Sequence, residues 1–192
     1  MRTGKRLLIL CIVSVACVVC DQSTKILSAI HLPRDVMHSY FYDILRMGYT
    51  ENRGGLLGVG NTLPDELRFW IFTVAVGVVL VGLLYYLMAD PEQDAHSLTG
   101  LALVFSGGSC NLFDRVVNDG SVVDFLNIGW GPIRTGVFNV ADMAIFTGIA
   151  IVIYTQSKYK SSEQTASRST LDIPGYRVPY RRHGMPEASG AQ

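Results

Sequence analysis

Residues 67–89 read LRFWIFTVAVGVVLVGLLYYLMA, an unbroken apolar stretch whose one charged residue, Arg68, lies at its start. A helix that crosses the hydrocarbon core of a bilayer needs about 20 predominantly apolar residues, and this stretch is long enough. It therefore predicts a transmembrane helix. The fold class that follows is a mainly α-helical integral membrane protein.

Three other stretches predict further spans, which makes four transmembrane helices in all. The first apolar run, 7–20, is too short to cross alone. It becomes long enough if its helix continues to about residue 30, through Asp21 and Lys25. The remaining spans cover about 98–117 and 137–155.

The basic residues around these spans predict the orientation. Lys and Arg accumulate on the cytoplasmic side of membrane proteins. Nine of them flank the spans on the side of the two termini: Arg2, Lys5, Arg6, Lys158, Lys160, Arg168, Arg177, Arg181 and Arg182. Four lie in the loops on the other side: Arg34, Arg46, Arg53 and Arg134. Both termini are therefore expected in the cytoplasm.

Composition excludes several other classes. Charged residues make up 17% of the 192 residues and the formal net charge is +0, which argues against a nucleic-acid partner. The histidines are scattered, and the C-x-x-C of Cys17 and Cys20 lies in an apolar helix, so we expect no metal and no cofactor. Residues 157–192 are rich in Ser, Arg, Gly and Pro and predict a disordered cytoplasmic tail.

Polar residues interrupt three of the spans near their outer ends. They come late in the two outward-running helices and early in the inward-running one, at Asp21, Lys25, Asn111, Asp114, Arg115, Asn139 and Asp142. With a rise of about 1.5 Å per residue, Asn111 lies roughly 20 Å into a core about 30 Å thick. Ionisable groups in a bilayer normally face the bundle interior. Their common depth predicts one polar site near the outer leaflet.

Two aspartates and a water can hydrolyse a peptide bond, since close carboxylates resist double ionisation and share one proton. The candidates are Asp21, Asp114, Asp124 and Asp142. Asp21 has Lys25 at the i+4 position, a favoured ion pair, and Asp114 adjoins Arg115. The other two have no cation at helical spacing, which favours them without deciding the pair.

Five motifs resemble the ordered motif set of bacterial lipoprotein signal peptidase (signal peptidase II). Each is weak alone, and together, over about residues 7–155, they are specific. They are Asp21-Gln-Ser-Thr-Lys25, Asn52-Arg-Gly54, Gly107-Gly-Ser-Cys-Asn111-Leu-Phe-Asp114-Arg115, Val123-Asp124-Phe125 and Phe138-Asn139-Val-Ala141-Asp142.

This resemblance implies four transmembrane helices with a small extracytoplasmic β-cradle, expected within residues 31–66. It implies a peptidase domain at 1–156 in the bacterial cytoplasmic (inner) membrane, among membrane lipids. The implied substrates are diacylglyceryl-modified prolipoproteins, cleaved just before the lipidated cysteine, and globomycin is the implied inhibitor.

The resemblance also assigns roles to residues. Asp124 and Asp142 match the catalytic pair. The positions that line or order the substrate site are Asn52, Gly54, Asn111, Arg115 and Asn139, and those with a structural polar role are Asp21, Lys25 and Asp114. The second motif departs from the family pattern, with Gly55 in place of Ala and Leu57 where Phe is expected.

Three alternatives remain open. A Ser–Lys peptidase would use Lys25 with Ser106 or Ser109, although a carboxylate at i−4 makes this lysine a poor base. A proton-coupled or solute-binding membrane protein also carries buried carboxylates. A catalytically inactive paralogue would keep most motifs and lose activity through the altered second one.

Overall fold

The structure, a computed structural model, describes residues 3–34, 36–55, 58–90 and 93–171. It divides into two compact units, Met1–Thr155 and Gln156–Gln192. The first unit contains the sheet and every candidate site residue.

Five α-helices and one π-helical segment form most of the described chain. They are α1 (Thr3–His31), α2 (Asp65–Arg68), the π-helical segment (Phe69–Ala75), α3 (Val76–Ala89), α4 (Ala95–Val117) and α5 (Val140–Leu171). The first helix runs without a break through Asp21 and Lys25, as the first span requires. The segments α2, Phe69–Ala75 and α3 follow one another and cover the predicted span 67–89.

Within the described residues, three helices are long and apolar enough to cross a membrane: Gly4–His31, Asp65–Ala89 and Val140–Ser161. Helix α4 has a sufficient length of 23 residues but is more polar, because its second half carries Asn111, Asp114 and Arg115. A multi-pass membrane protein is therefore the class that the structure supports.

Helix α5 extends beyond its predicted end near residue 155 and reaches Leu171. Neither glycine nor proline occurs between Gly148 and Pro174, so the backbone meets no helix-breaking residue over this distance. The helix thus enters the segment 157–192, and the prediction of disorder is wrong for residues 157–171. The rest of that segment, 172–192, lies outside the described residues.

A four-stranded antiparallel sheet lies beside the helices, with the order β1 (His38–Tyr40), β2 (Leu45–Asn52), β3 (Val122–Trp130) and β4 (Ile133–Arg134). The prediction that confined the sheet to residues 31–66 is wrong, because half of its strands come from the loop after α4. Strand β3 begins with the largely apolar sequence V-V-D-F-L. Branched and aromatic residues of this kind favour strands.

Glycines bring α4 and α5 close together. A Cβ at Gly100 would lie 2.8 Å from the carbonyl oxygen of Gly148, and a Cβ at Gly107 would collide with the carbonyl oxygen of Ala141. Small residues permit such close helix approach in membrane proteins. The packing aligns the polar end of α4 with the first turn of α5.

Candidate active site

Asp124 lies in strand β3, where the sheet meets the helices. It pairs with Thr50 of β2 in the antiparallel register and is 1% exposed. Its Oδ2 accepts a hydrogen bond of 2.8 Å from Nδ2 of Asn52, and its Oδ1 accepts one of 2.7 Å from Nδ2 of Asn139. Two amides from separate elements therefore fix this carboxylate.

Asp142 lies in the first turn of α5 and is equally fixed. The Asn139 side chain accepts a 2.9 Å hydrogen bond from the Asp142 backbone N–H, and the Asn139 N–H donates to Oδ2 of Asp142 at 3.2 Å. This reciprocal pattern is that of a capping box. The remaining oxygen, Oδ1, accepts from Nδ2 of Asn111 at 2.8 Å.

The two asparagines join the carboxylates into one network. Nδ2 of Asn139 donates a hydrogen bond of 3.1 Å to Oδ1 of Asn111. It also donates to Oδ1 of Asp124. Both carboxylates line one cavity of about 230 Å³. Its polar and aromatic walls include Asn52, Phe72, Asn111, Arg115, Asp124 and Asp142.

Burial and a neighbouring charge control the ionisation of Asp124. Burial raises the pKa of Asp124 from its ordinary 3.8 to about 7, and the charge of Asp142 adds to the rise. Hydrogen bonds from Asn52 and Asn139 act in the opposite direction on this pKa. A carboxyl with its pKa raised in this way can donate a proton near neutral pH, as one member of a two-carboxylate hydrolytic pair must.

A family model described as signal peptidase (SPase) II matches residues 13–158, most of the chain. The chain belongs to the signal peptidase II family. It is therefore a membrane peptidase.

Relatives and solved structures agree with this assignment. The chain is 30% identical to the lipoprotein signal peptidase of Halalkalibacterium halodurans, over 73% of this chain and 86% of the relative. It is 38% identical to that of Caldanaerobacter subterraneus, over 70% and 86%. A bacterial membrane enzyme structure solved by the in meso method at 2.3 Å resolution superposes with a TM-score of 0.69 and 26% identity, over 83% of this chain and 92% of that one.

The second signal peptidase II motif forms a turn over the cavity. Oδ1 of Asn52 accepts from the Gly54 N–H at 2.9 Å, and the Gly54 carbonyl accepts from Nη2 of Arg115 at 2.6 Å. A Cβ at Gly54 would lie 2.5 Å from the Val59 carbonyl oxygen. This position therefore needs glycine for its close backbone approach.

Arg115 supports the turn from α4. Besides its bond to Gly54, it donates from Nη1 to the Asn111 carbonyl at 3.2 Å, and its guanidinium lies over the ring of Phe72, 5.8 Å from the centroid. The geometry thus brings together all the predicted site residues: Asn52, Gly54, Asn111, Arg115, Asp124, Asn139 and Asp142.

Asp21, Lys25 and Asp114 lie directly behind this network. Nζ of Lys25 is 2.8 Å from Oδ2 of Asp21 and 2.8 Å from Oδ2 of Asp114. Ser106 bonds elsewhere, to Oγ of Ser14 and the Ala102 carbonyl. The contacts of a Ser–Lys pair are therefore not made between Ser106 and Lys25.

Sequence reasoning missed Phe72 as a wall of the cavity. Its position inside an apolar stretch gives no signal of its own. The replacement of Ala by glycine at position 55 was the available hint, because a Cβ at Gly55 would lie 2.7 Å from Cε1 of Phe72. Leu57, the other departure from the family motif, lies outside the described residues.

Proposed function

We propose that this chain removes the signal peptide from diacylglyceryl-modified prolipoproteins, cleaving before the lipidated cysteine, with Asp124 and Asp142 as the catalytic pair. The observation that carries the proposal is the pair itself. Two buried carboxylates from separate elements line one cavity, and Asn139 bonds to both.

In the proposed reaction, a water lies between the carboxylates and the scissile peptide bond. Ionised Asp142, supported by Nδ2 of Asn111 and the Asn139 N–H, takes a proton from the water as its oxygen attacks the carbonyl carbon. Protonated Asp124 gives its proton to the carbonyl oxygen. Collapse of the tetrahedral intermediate breaks the C–N bond, and a carboxyl proton passes to the departing cysteine amine.

The high pKa of Asp124 suits the role of proton donor. A group with a pKa of about 7 is substantially protonated at neutral pH and still gives up its proton readily. Arg115 holds the turn at Gly54 and lines the cavity, where its guanidinium can donate hydrogen bonds to carbonyl oxygens of the substrate.

We place this site near the outer leaflet of the bacterial cytoplasmic membrane. In the proposed arrangement α4 is a third span among four, both termini are cytoplasmic, and the sheet is extracytoplasmic. A diacylglyceryl group keeps its acyl chains in the outer leaflet, so its cysteine lies near that interface. Residues 1–156 then form the peptidase domain and 157–192 a cytoplasmic tail.

Two alternative functions would require different chemistry from the same buried side chains. A Ser–Lys peptidase needs an unprotonated lysine, whereas Lys25 is held between two carboxylates. A proton-coupled or solute-binding protein needs no peptide hydrolysis. Both alternatives, and an inactive paralogue, are separated from the proposal by direct measurement of cleavage.

The test is cleavage of a diacylglyceryl-modified prolipoprotein by the purified enzyme. We expect Asp124→Asn and Asp142→Asn each to lower kcat by about 1,000-fold or more, because an amide cannot exchange the proton. Globomycin should inhibit the native enzyme. Normal cleavage by both variants would refute the catalytic pair.

Matched controls separate chemistry from folding. Asp119→Asn makes the same chemical change at an exposed residue of the α4–β3 loop and should leave kcat unchanged. Ser106→Ala and Ser109→Ala should also cleave normally, and loss of cleavage in either would revive the Ser–Lys alternative. Unfolding temperatures in detergent verify that each variant is folded.

A further inference from the structure

Lys25 is buried at the centre of an ion cluster that does not line the catalytic cavity. It is 4% exposed and contacts Oδ2 of Asp21 and Oδ2 of Asp114, each at 2.8 Å. Asp21 is likewise buried, at 0% exposed. The lysine of α1 therefore bridges one carboxylate of its own helix and one of α4.

Each of these carboxylates also accepts a backbone N–H. Oδ1 of Asp21 accepts from the N–H of Ala141 at 2.8 Å. Oδ2 of Asp114 accepts from the N–H of Val123 at 3.3 Å. Ala141 immediately precedes Asp142, and Val123 immediately precedes Asp124.

We propose that Asp21, Lys25 and Asp114 form a clamp that sets the separation of the two catalytic carboxylates. One arm holds the backbone before Asp142, the other holds the backbone before Asp124, and Lys25 ties the arms together. The clamp residues are positioning residues, and the inference rests on the proposed catalytic role of the pair.

A third contact extends the clamp to a side chain. Nζ of Lys25 is 3.1 Å from Oδ1 of Asn111, and the opposite end of that amide donates to Asp142 at 2.8 Å. Because an ammonium group can only donate, Lys25 keeps the amide oxygen of Asn111 on its own side. The NH₂ group must then face Asp142.

Removal of the lysine should displace the catalytic pair. Without Lys25, the Asp21 and Asp114 carboxylates face each other across a buried space and repel. The backbone segments that they hold, before Asp142 and before Asp124, would then move apart. A misplacement of about 1 Å at a catalytic group costs on the order of 100-fold in rate.

The first experiment compares Lys25→Met with Leu98→Ala. Leu98 is fully buried in the first turn of α4, distant along that helix from Asn111 and Asp114, so its truncation destabilises the fold without touching the pair. Both variants are assayed with modified prolipoprotein at a temperature where each is folded. We expect Lys25→Met to lower kcat about 100-fold with KM within about threefold of native, and Leu98→Ala to keep the native kcat.

The second experiment neutralises the whole cluster. The triple variant Asp21→Asn, Lys25→Met, Asp114→Asn leaves no uncompensated buried charge, and such replacements are often neutral or stabilising. Nε2 of Gln22 also joins the two arms, through hydrogen bonds of 3.2 Å to Oδ2 of Asp21 and 3.0 Å to Oδ1 of Asp114. In the triple variant only this neutral amide remains between them. We therefore expect its unfolding temperature to recover relative to Lys25→Met while kcat remains low. Recovery of kcat together with stability would overturn the clamp.

Two further outcomes are distinguishable. If Lys25→Met lowers kcat no more than Leu98→Ala does, the cluster has only a structural role and the inference fails, although the catalytic pair stands. If the native enzyme does not cleave the substrate, or Asp124→Asn and Asp142→Asn both cleave it, the proposed function itself fails.

Discussion

The carboxyl of Asp124 ties the stability of this protein to pH. Its pKa rises from 3.8 to about 7 in the folded state, chiefly through burial. The folded chain therefore binds a proton that the unfolded chain has lost between these pH values. Stability falls with pH wherever the folded state binds more protons, so ionisation of Asp124 should destabilise the fold progressively from about pH 4 to pH 7.

Asp124→Asn removes this titration. The variant starts with a fixed cost, because its NH₂ group faces an amide donor of Asn52 or Asn139. Relative to the native chain, however, its stability should improve as pH rises from 4 to 7 and then level off. Thermal unfolding in detergent at several pH values measures the difference. A difference that is constant with pH would contradict the raised pKa.

At the scale of single elements, the π-helical segment Phe69–Ala75 places Phe72 in the wall of the cavity that Asp124 and Asp142 line. π-Helical turns occur frequently at functional sites. The ring lies between two glycines of the preceding loop. A Cβ at Gly55 would lie 2.7 Å from Cε1, and a Cβ at Gly60 would lie 2.8 Å from Cζ. The Phe72 ring thus fills the space between the loop and the helix, and a side chain at either glycine would collide with it.

This packing predicts a size relationship between positions 55 and 72. Gly55→Ala, which introduces the family's usual residue, should press the ring toward Gly60 and lower kcat/KM, because overpacking typically costs about 1–3 kcal/mol. Adding Phe72→Leu to Gly55→Ala should recover part of the loss. The measurement is kcat/KM on modified prolipoprotein.

Gly82→Ala provides the control for the added methyl group, since a Cβ there would meet nothing within 4 Å. It should retain native kcat/KM. If Gly55→Ala also retains native kcat/KM, the Phe72 ring does not constrain the loop. The contact between the loop and the helix then does not affect activity.

Some of these elements can be predicted from the sequence and others cannot. The span 67–89 is predictable because length and apolar content alone decide it. Strand β3 is not, since its pairing with β2 joins residues 70 or more positions apart, such as Asn52 and Val122. Phe72 is hidden for a related reason: its contacts with Gly55 and Gly60 depend on how a loop folds back, and no spacing rule encodes them.

The site is more predictable than the sheet. Asn111 and Asn139 interrupt apolar spans, where polar groups need partners, and depth along the helices brings them to one level. Depth alone does not predict which oxygen of Asp142 bonds to Asn111. It also does not predict that Asp21 and Asp114 accept hydrogen bonds from the backbone amides beside the proposed catalytic pair. Those facts depend on helix rotation and on the close α4–α5 packing at Gly100 and Gly148.

At the scale of the whole molecule, the uneven distribution of basic residues predicts which compartment each end faces. Nine Lys and Arg flank the spans on the side of the termini, against four in the loops that carry β1 to β4. Since basic residues are retained in the cytoplasm, the exposed Glu66 at the start of α2 should face outward. Ser189 of the C-terminal tail should face inward.

Cysteine labelling measures this orientation. The cells have a permeabilised outer membrane and an intact cytoplasmic membrane. A membrane-impermeant maleimide should then label Glu66→Cys. It should leave Ser189→Cys unlabelled until the cytoplasmic membrane is also permeabilised. The native chain, whose four cysteines lie within α1 and α4, provides the background. Labelling of Ser189→Cys before permeabilisation would reverse the orientation. It would also place the Asp124–Asp142 pair on the cytoplasmic side, where a diacylglyceryl-cysteine in the outer leaflet could not reach it.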